Sequence, residues 1–111
     1  MPRIYLNKKK YSLEKQVIIT KNRELVPLNN LKWTGSKADA TELGYSIRDS
    51  GVINHGNVDV KEIMSFLEIS FDIDLGDYYR TYVAIKSRKK DRTPFLNQLI
   101  EALIRRMEKD D

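Results

Sequence analysis

Residues 59–90 read DVKEIMSFLEISFDIDLGDYYRTYVAIKSRKK, and the reading of this stretch decides the fold. Val60, Ile63, Met64 and Leu67 recur at helical spacing, and Phe71 extends the stripe. Asp59 precedes the stripe with Glu62 three residues on, the spacing of a capping box. Asp74-Leu75-Gly76-Asp77 then reads as a turn. A second helix is expected from about Leu75 to Lys90. At about 100° per residue, Leu75, Tyr78, Tyr79, Tyr82, Val83 and Ile85 share its apolar side. The opposite arc holds Asp77, Arg80, Thr81, Ala84, Ser87 and Arg88. Two helices joined by a short turn with a glycine have the spacing of a helix-turn-helix, whose second helix enters the major groove of DNA.

Outward from this stretch, Ser36 with Asp39 predicts another helix start, and Ala40, Leu43, Gly44 and Ile47 line one face of that helix. Gly51 is its left-handed stop. A last helix begins at Thr93 with Pro94 in its first turn. Leu96, Leu99, Ile100, Leu103 and Met107 are its expected buried face, so Leu99→Ala or Leu103→Ala should cost ~2–5 kcal/mol. Residues 1–31 alternate with period two instead: Tyr11, Leu13, Val17 and Ile19 against Ser12, Glu14, Gln16 and Thr20. Lys21-Asn22-Arg23 would turn the chain, Glu24 to Leu28 would return, and Arg3 to Leu6 would add a third strand. Trp33 is expected to pack under this hairpin. The fold class expected is mainly α with a small β part (α+β). It comprises a helix-turn-helix or winged-helix-like domain of about four helices over residues 32–111, plus an N-terminal β-hairpin or arm over residues 1–31.

A length of 111 residues fits one domain and leaves no room for a second catalytic one. Apolar residues at 41 % and charged residues at 32 % give a globular balance rather than a disordered one. The absence of cysteine excludes disulfides and thiolate chemistry and suits the cytoplasm. No apolar run approaches the ~18 residues of a membrane span, and lysines interrupt residues 1–20, so these are no signal peptide. The single histidine, His55, reads as a solvated loop residue with no second histidine to share a metal. Thr34-Gly35-Ser36-Lys37 lacks the strand and first glycine of a phosphate loop, so it reads as a helix start whose free N–H groups, with Lys37, could still hold an anion. Asp72, Asp74 and Asp77 do not follow calcium-loop spacing. No nucleophile–base pair stands out, and the expectation is a protein that is not an enzyme and needs no cofactor.

The net charge of +4 hides two opposed segments. Asp59 to Asp77 holds Asp59, Glu62, Glu68, Asp72, Asp74 and Asp77 against Lys61. Tyr78 to Arg92 holds Arg80, Lys86, Arg88, Lys89, Lys90 and Arg92 against Asp91. The basic segment has the composition of a footprint on nucleic-acid phosphates. Arg80, Thr81 and Ser87 are the candidates for reading base edges, and Arg88, Lys89, Lys90 and Arg92 for phosphates, with Ser36 and Lys37 as a further phosphate site. Tyr78, Tyr79 and Tyr82 lie on the apolar side and are expected in the core rather than stacked on bases.

Leu31 to Lys37, Gly51 to Asn57, Asp74 to Tyr82 and Arg92 to Leu96, taken in this order, resemble the RteC family of regulators from tetracycline-resistance conjugative transposons. The resemblance covers roughly residues 30–108. It implies a carboxy-terminal DNA-binding domain with a winged-helix-like fold that controls genes for excision or transfer of a mobile element. By position, Tyr78 to Lys90 would be its recognition helix. The family's longer members carry a large amino-terminal domain that this sequence mostly lacks, so it is expected to be either a shortened piece or a short relative.

The expected partner is double-stranded DNA, with no membrane, and with either a second copy or the missing N-terminal domain as a protein partner. The rival reading is a protein–protein interaction or dimerisation module without DNA binding, in which the acidic and basic segments pair with each other or across protomers.

Overall fold

The computed structural model describes residues 31–111 and, upstream, the backbone of Val17–Ile19 and Leu25–Pro27. Four helices make up the described body: α1 (Lys37–Ser50), α2 (Val60–Phe71), α3 (Tyr78–Lys86) and α4 (Pro94–Asp110).

Each start has a local cause. The Asp39 N–H donates to Ser36 Oγ at 3.0 Å, and Trp33 Nε1 donates to the Ser36 carbonyl at 2.9 Å, which fixes the entry to α1. The capping box of α2 closes both ways: Glu62 N–H donates to Asp59 Oδ1 at 2.9 Å and Asp59 N–H to Glu62 Oε1 at 3.3 Å. Asp77 accepts from the Arg80 N–H at 3.1 Å and so starts α3 three residues later than the apolar spacing suggests. Gly51, at φ 78°, ends α1 in the left-handed conformation that glycine adopts at least cost.

α1 is the central element, and α2, α3 and α4 each pack on it. Ala40, Thr41, Glu42 and Gly44 of α1 are buried, a wider arc than one amphipathic face, because helices lie on more than one side. Met64, Ile63, Leu67 and Leu75 fill the core between α1 and α2 with Val58. A Cβ on Gly44 would lie 2.6 Å from Met64 Cε, so the α1–α2 approach depends on this glycine. Trp33 wedges between Phe71 of α2 and Phe95 of α4, with ring centroids 5.6 Å from each; its expected packing under the hairpin involves side chains outside the described residues.

The α+β expectation, a winged-helix-like domain with an N-terminal β-hairpin as its β part, gives way to an all-helical body over residues 31–111. Residues 31–111 contain no strand, and the seven residues between α3 and α4 form bends too short for a wing. Upstream, β1 (Val17–Ile19) runs antiparallel to β2 (Leu25–Pro27), with Ile18 opposite Val26. A two-stranded ladder of three residues a side makes no layer of a fold. The expected turn at 21–23 and strand at 3–6 lie outside the described residues.

Two helices also differ from expectation. α3 ends at Lys86 rather than Lys90. No apolar residue lies between Ser87 and Arg92, so packing offers nothing to hold further turns. The face of α4 is not buried: past the half-buried Pro94, Phe95 and Leu96, its side chains are exposed. α4 meets α1 near Glu42, and its remaining turns run clear of the rest of the described body.

Candidate nucleic-acid interface

The outer surface of α3 follows from how its inner surface is held. Ile85 is buried. Tyr82 stacks on Tyr45 of α1, ring centroids 4.2 Å apart at 19° between planes. Burial raises the Tyr45 hydroxyl above its ordinary pKa near 10, with the neighbouring Tyr78 and Tyr82 adding to the shift. With this side clamped, Arg80, Val83, Ala84, Lys86 and Ser87 are exposed, and Tyr79 joins them at 64 % exposure.

The open face is therefore rotated from the expected one. Its centre lies near Val83 and Ser87 instead of Ala84, and Thr81 is half-buried at its edge. Tyr79 and Val83 belong to the open face although their apolar character placed them inside. The signal that finds them is the Tyr45–Tyr82 pair: Tyr82 against α1 turns Tyr79 and Val83 outward. Thr81 Oγ1 lies 3.4 Å from the Asp77 carbonyl, and Ser87 Oγ donates to the Val83 carbonyl at 2.8 Å. Both hydroxyls are turned to the backbone and keep oxygen lone pairs for an acceptor role.

Arg88, Lys89, Lys90 and Arg92 follow α3 directly and are exposed. They lie on the bends between α3 and α4, not on the helix. Asp91, at φ 34°, accepts from Asn97 Nδ2 at 3.2 Å, which ties the middle of this basic bend to α4. Ser36 and Lys37 are exposed at the start of α1, but Ser36 Oγ is engaged by the Asp39 N–H, and Asp39 places an acid in the same first turn.

The acidic segment behaves differently. Asp59, Glu62, Asp77, Asp74 and Glu68 each accept a backbone N–H, the last from Leu75 at 2.9 Å. Asp72 ends α2 in a left-handed conformation and pairs with Lys32. Among the described residues, the ion pairs are Lys32–Asp72, Arg48–Asp49 and Arg106–Asp110. None draws on Arg80, Lys86, Arg88, Lys89, Lys90 or Arg92.

The RteC protein family matches this sequence over residues 1–111, its whole length. The chain belongs to the RteC family. No curated relative and no solved structure matches it. The match extends the resemblance of residues 30–108 to the N-terminal thirty residues as well. Membership associates this RteC chain with regulation in conjugative transposons. Among the described residues of this RteC protein, no cluster of His, Asp and Glu could hold a metal ion. None of its described helices is long and apolar enough to cross a membrane.

Proposed function

We propose that this chain is a cytoplasmic, DNA-binding regulator of genes that excise or mobilise a conjugative transposon. The observation that carries the reading is the run of six bases from Arg80 to Arg92, all exposed and none paired with an acid among the described residues. The rival reading, an interaction or dimerisation module in which the acidic and basic segments pair with each other or across protomers, lacks the contact within one chain: no ion pair among the described residues joins the acids of residues 59–77 to the bases of residues 78–92.

In this reading α3 lies along the major groove, which is ~12 Å wide and admits one helix. Arg80 and Ser87 reach base edges, with Thr81 at the rim of the same face. Val83 offers an apolar contact to a thymine methyl, and the Tyr79 hydroxyl reaches a phosphate. Arg88, Lys89, Lys90 and Arg92 grip the backbone beside the groove and set the register. Lys37 and the start of α1 add a weaker phosphate contact, because Asp39 opposes an anion there.

The test is a mobility-shift titration of random and selected duplexes at two salt concentrations. Binding that weakens steeply with salt, and a sequence preference emerging from selection, support the reading. No binding to any duplex at low salt rejects it in favour of the interaction module.

A further inference from the structure

The open face of α3 carries three groups of different chemistry in a row. Arg80, Val83 and Ser87 are all exposed, and Val83 stands 40 % exposed despite its apolar side chain. At ~100° per residue the three fall within one narrow arc of the helix. Ala84, also exposed, lies beside them and is too short to hold a partner away. The Arg80 guanidinium can only donate hydrogen bonds, and no acid among the described residues pairs with it. Val83 offers a branched apolar tip. Ser87 lies at the end of α3, and its Oγ donates to the Val83 carbonyl at 2.8 Å. A carbonyl has no hydrogen to give, so the one hydroxyl hydrogen of Ser87 is used inside the helix. Toward a partner, Ser87 can only accept.

We propose that α3 reads a donor–methyl–acceptor code along the duplex. Guanine meets Arg80, thymine meets Val83, and a base with an exocyclic amine, adenine or cytosine, meets Ser87. The inference deepens the DNA-binding reading above and rests on it. The exposed basic residues that follow α3 match a polyanion, and this complementarity selects a nucleic acid over an apolar partner for the face. Major-groove chemistry then assigns each position. Guanine presents two acceptors, N7 and O6, that fit a guanidinium. Thymine presents a C5-methyl, the apolar group of that groove. Adenine N6 and cytosine N4 are the donors there, and they alone satisfy a hydroxyl that can only accept. A guanine or thymine carbonyl at the same place would meet a lone pair. The dimensions agree with this order. Along the axis, at ~1.5 Å per residue, Val83 stands ~4.5 Å and Ser87 ~10.5 Å from Arg80. Base pairs repeat every ~3.4 Å, so the thymine lies about one step and the amine about three steps from the guanine.

The experiment begins with selection of duplexes from a random pool by the full chain. The enriched site should hold guanine, thymine and an amine-bearing base at those steps. Single groups of that site are then altered and titrated by mobility shift. Uracil in place of thymine removes the methyl alone and should weaken wild type about fourfold. Val83→Ala should bind the thymine and uracil duplexes about equally. Ser87→Ala should lose discrimination at the amine position alone, weakening the selected site about two- to tenfold. Both side chains are exposed, so the circular dichroism of both variants should match wild type. Wild type that binds thymine and uracil duplexes alike, or an amine-position preference unchanged in Ser87→Ala, overturns the code and leaves the DNA-binding reading standing. No duplex bound at low salt overturns both.

Discussion

Glu42 shows how one residue decides the position of a helix. It is buried at 6 % exposure, yet its Oε2 accepts the Leu96 N–H at 2.7 Å. Leu96 is the third residue of α4, and Thr93 makes no side-chain cap, so α1 supplies the cap that α4 lacks. Glu42→Ala should destabilise the chain by about 1–3 kcal/mol in urea unfolding, the cost of leaving a buried donor unpaired. It should also speed amide exchange at Leu96 more than in α2; unchanged exchange there would show that Glu42 does not anchor α4. Tyr45 gives a residue-scale pH effect. Its hydroxyl is held above its ordinary pKa by burial, so the folded state favours the neutral form. The stabilisation is complete below pH ~10 and is lost as the pH rises through the raised value. Wild type should therefore lose more stability than Tyr45→Phe between pH 9 and pH 11, read as the shift in urea midpoint. Arg80 and Lys90 divide the proposed contact with DNA. Arg80→Ala should relax sequence preference by about 1–3 kcal/mol at one base pair, whereas Lys90→Ala should weaken all duplexes alike. Equal losses on every sequence for both variants would refute that division.

The helices differ in how much of their structure is legible without coordinates, and the difference is physical. α2 was legible throughout, because its capping box and apolar stripe are encoded within twelve residues, and Ile63, Met64 and Leu67 are indeed buried. α3 was legible in type and approximate place. Its length and rotation depended on Asp77 acting as cap and on Tyr82 finding Tyr45, more than thirty residues away in sequence. The candidate site inherited that error: Arg80 and Ser87 are on the open face as expected, while Tyr79 and Val83 were assigned inward. α4 was legible as a helix and misread as buried, since a 3.6-residue apolar period states that a face is apolar and not what covers it. The consequence is measurable. Leu103→Ala in the isolated monomer should change stability by less than about 0.5–1 kcal/mol, as for an exposed substitution, in place of the ~2–5 kcal/mol of a core leucine. Gly44→Ala tests the opposite case, a close approach legible only in three dimensions. Its methyl would press on Met64, which is fully buried, and on Leu67. Overpacking of ~1–3 kcal/mol outweighs the ~1 kcal/mol that alanine gains in helix propensity, so the melting temperature should fall by several degrees.

At the scale of the molecule, three features lie on different parts of the surface with different chemistry. The core joins α1 and α2, the open basic face belongs to α3 and the bend after it, and the uncovered apolar stripe belongs to α4. Glu42 and Asp91 tie the root of α4 to α1 and to the basic bend, so the position of α4 relative to α3 is set by short contacts. The salt dependence of binding reads how many basic side chains of that basic face meet phosphates: each phosphate contact contributes about −0.9 to the log–log slope on duplex DNA. Removing both Lys89 and Lys90, which are exposed on the bend beside α3, should therefore flatten the slope by about two units in titrations across a series of salt concentrations. A slope unchanged by the double substitution would mean that this bend does not lie on the duplex backbone.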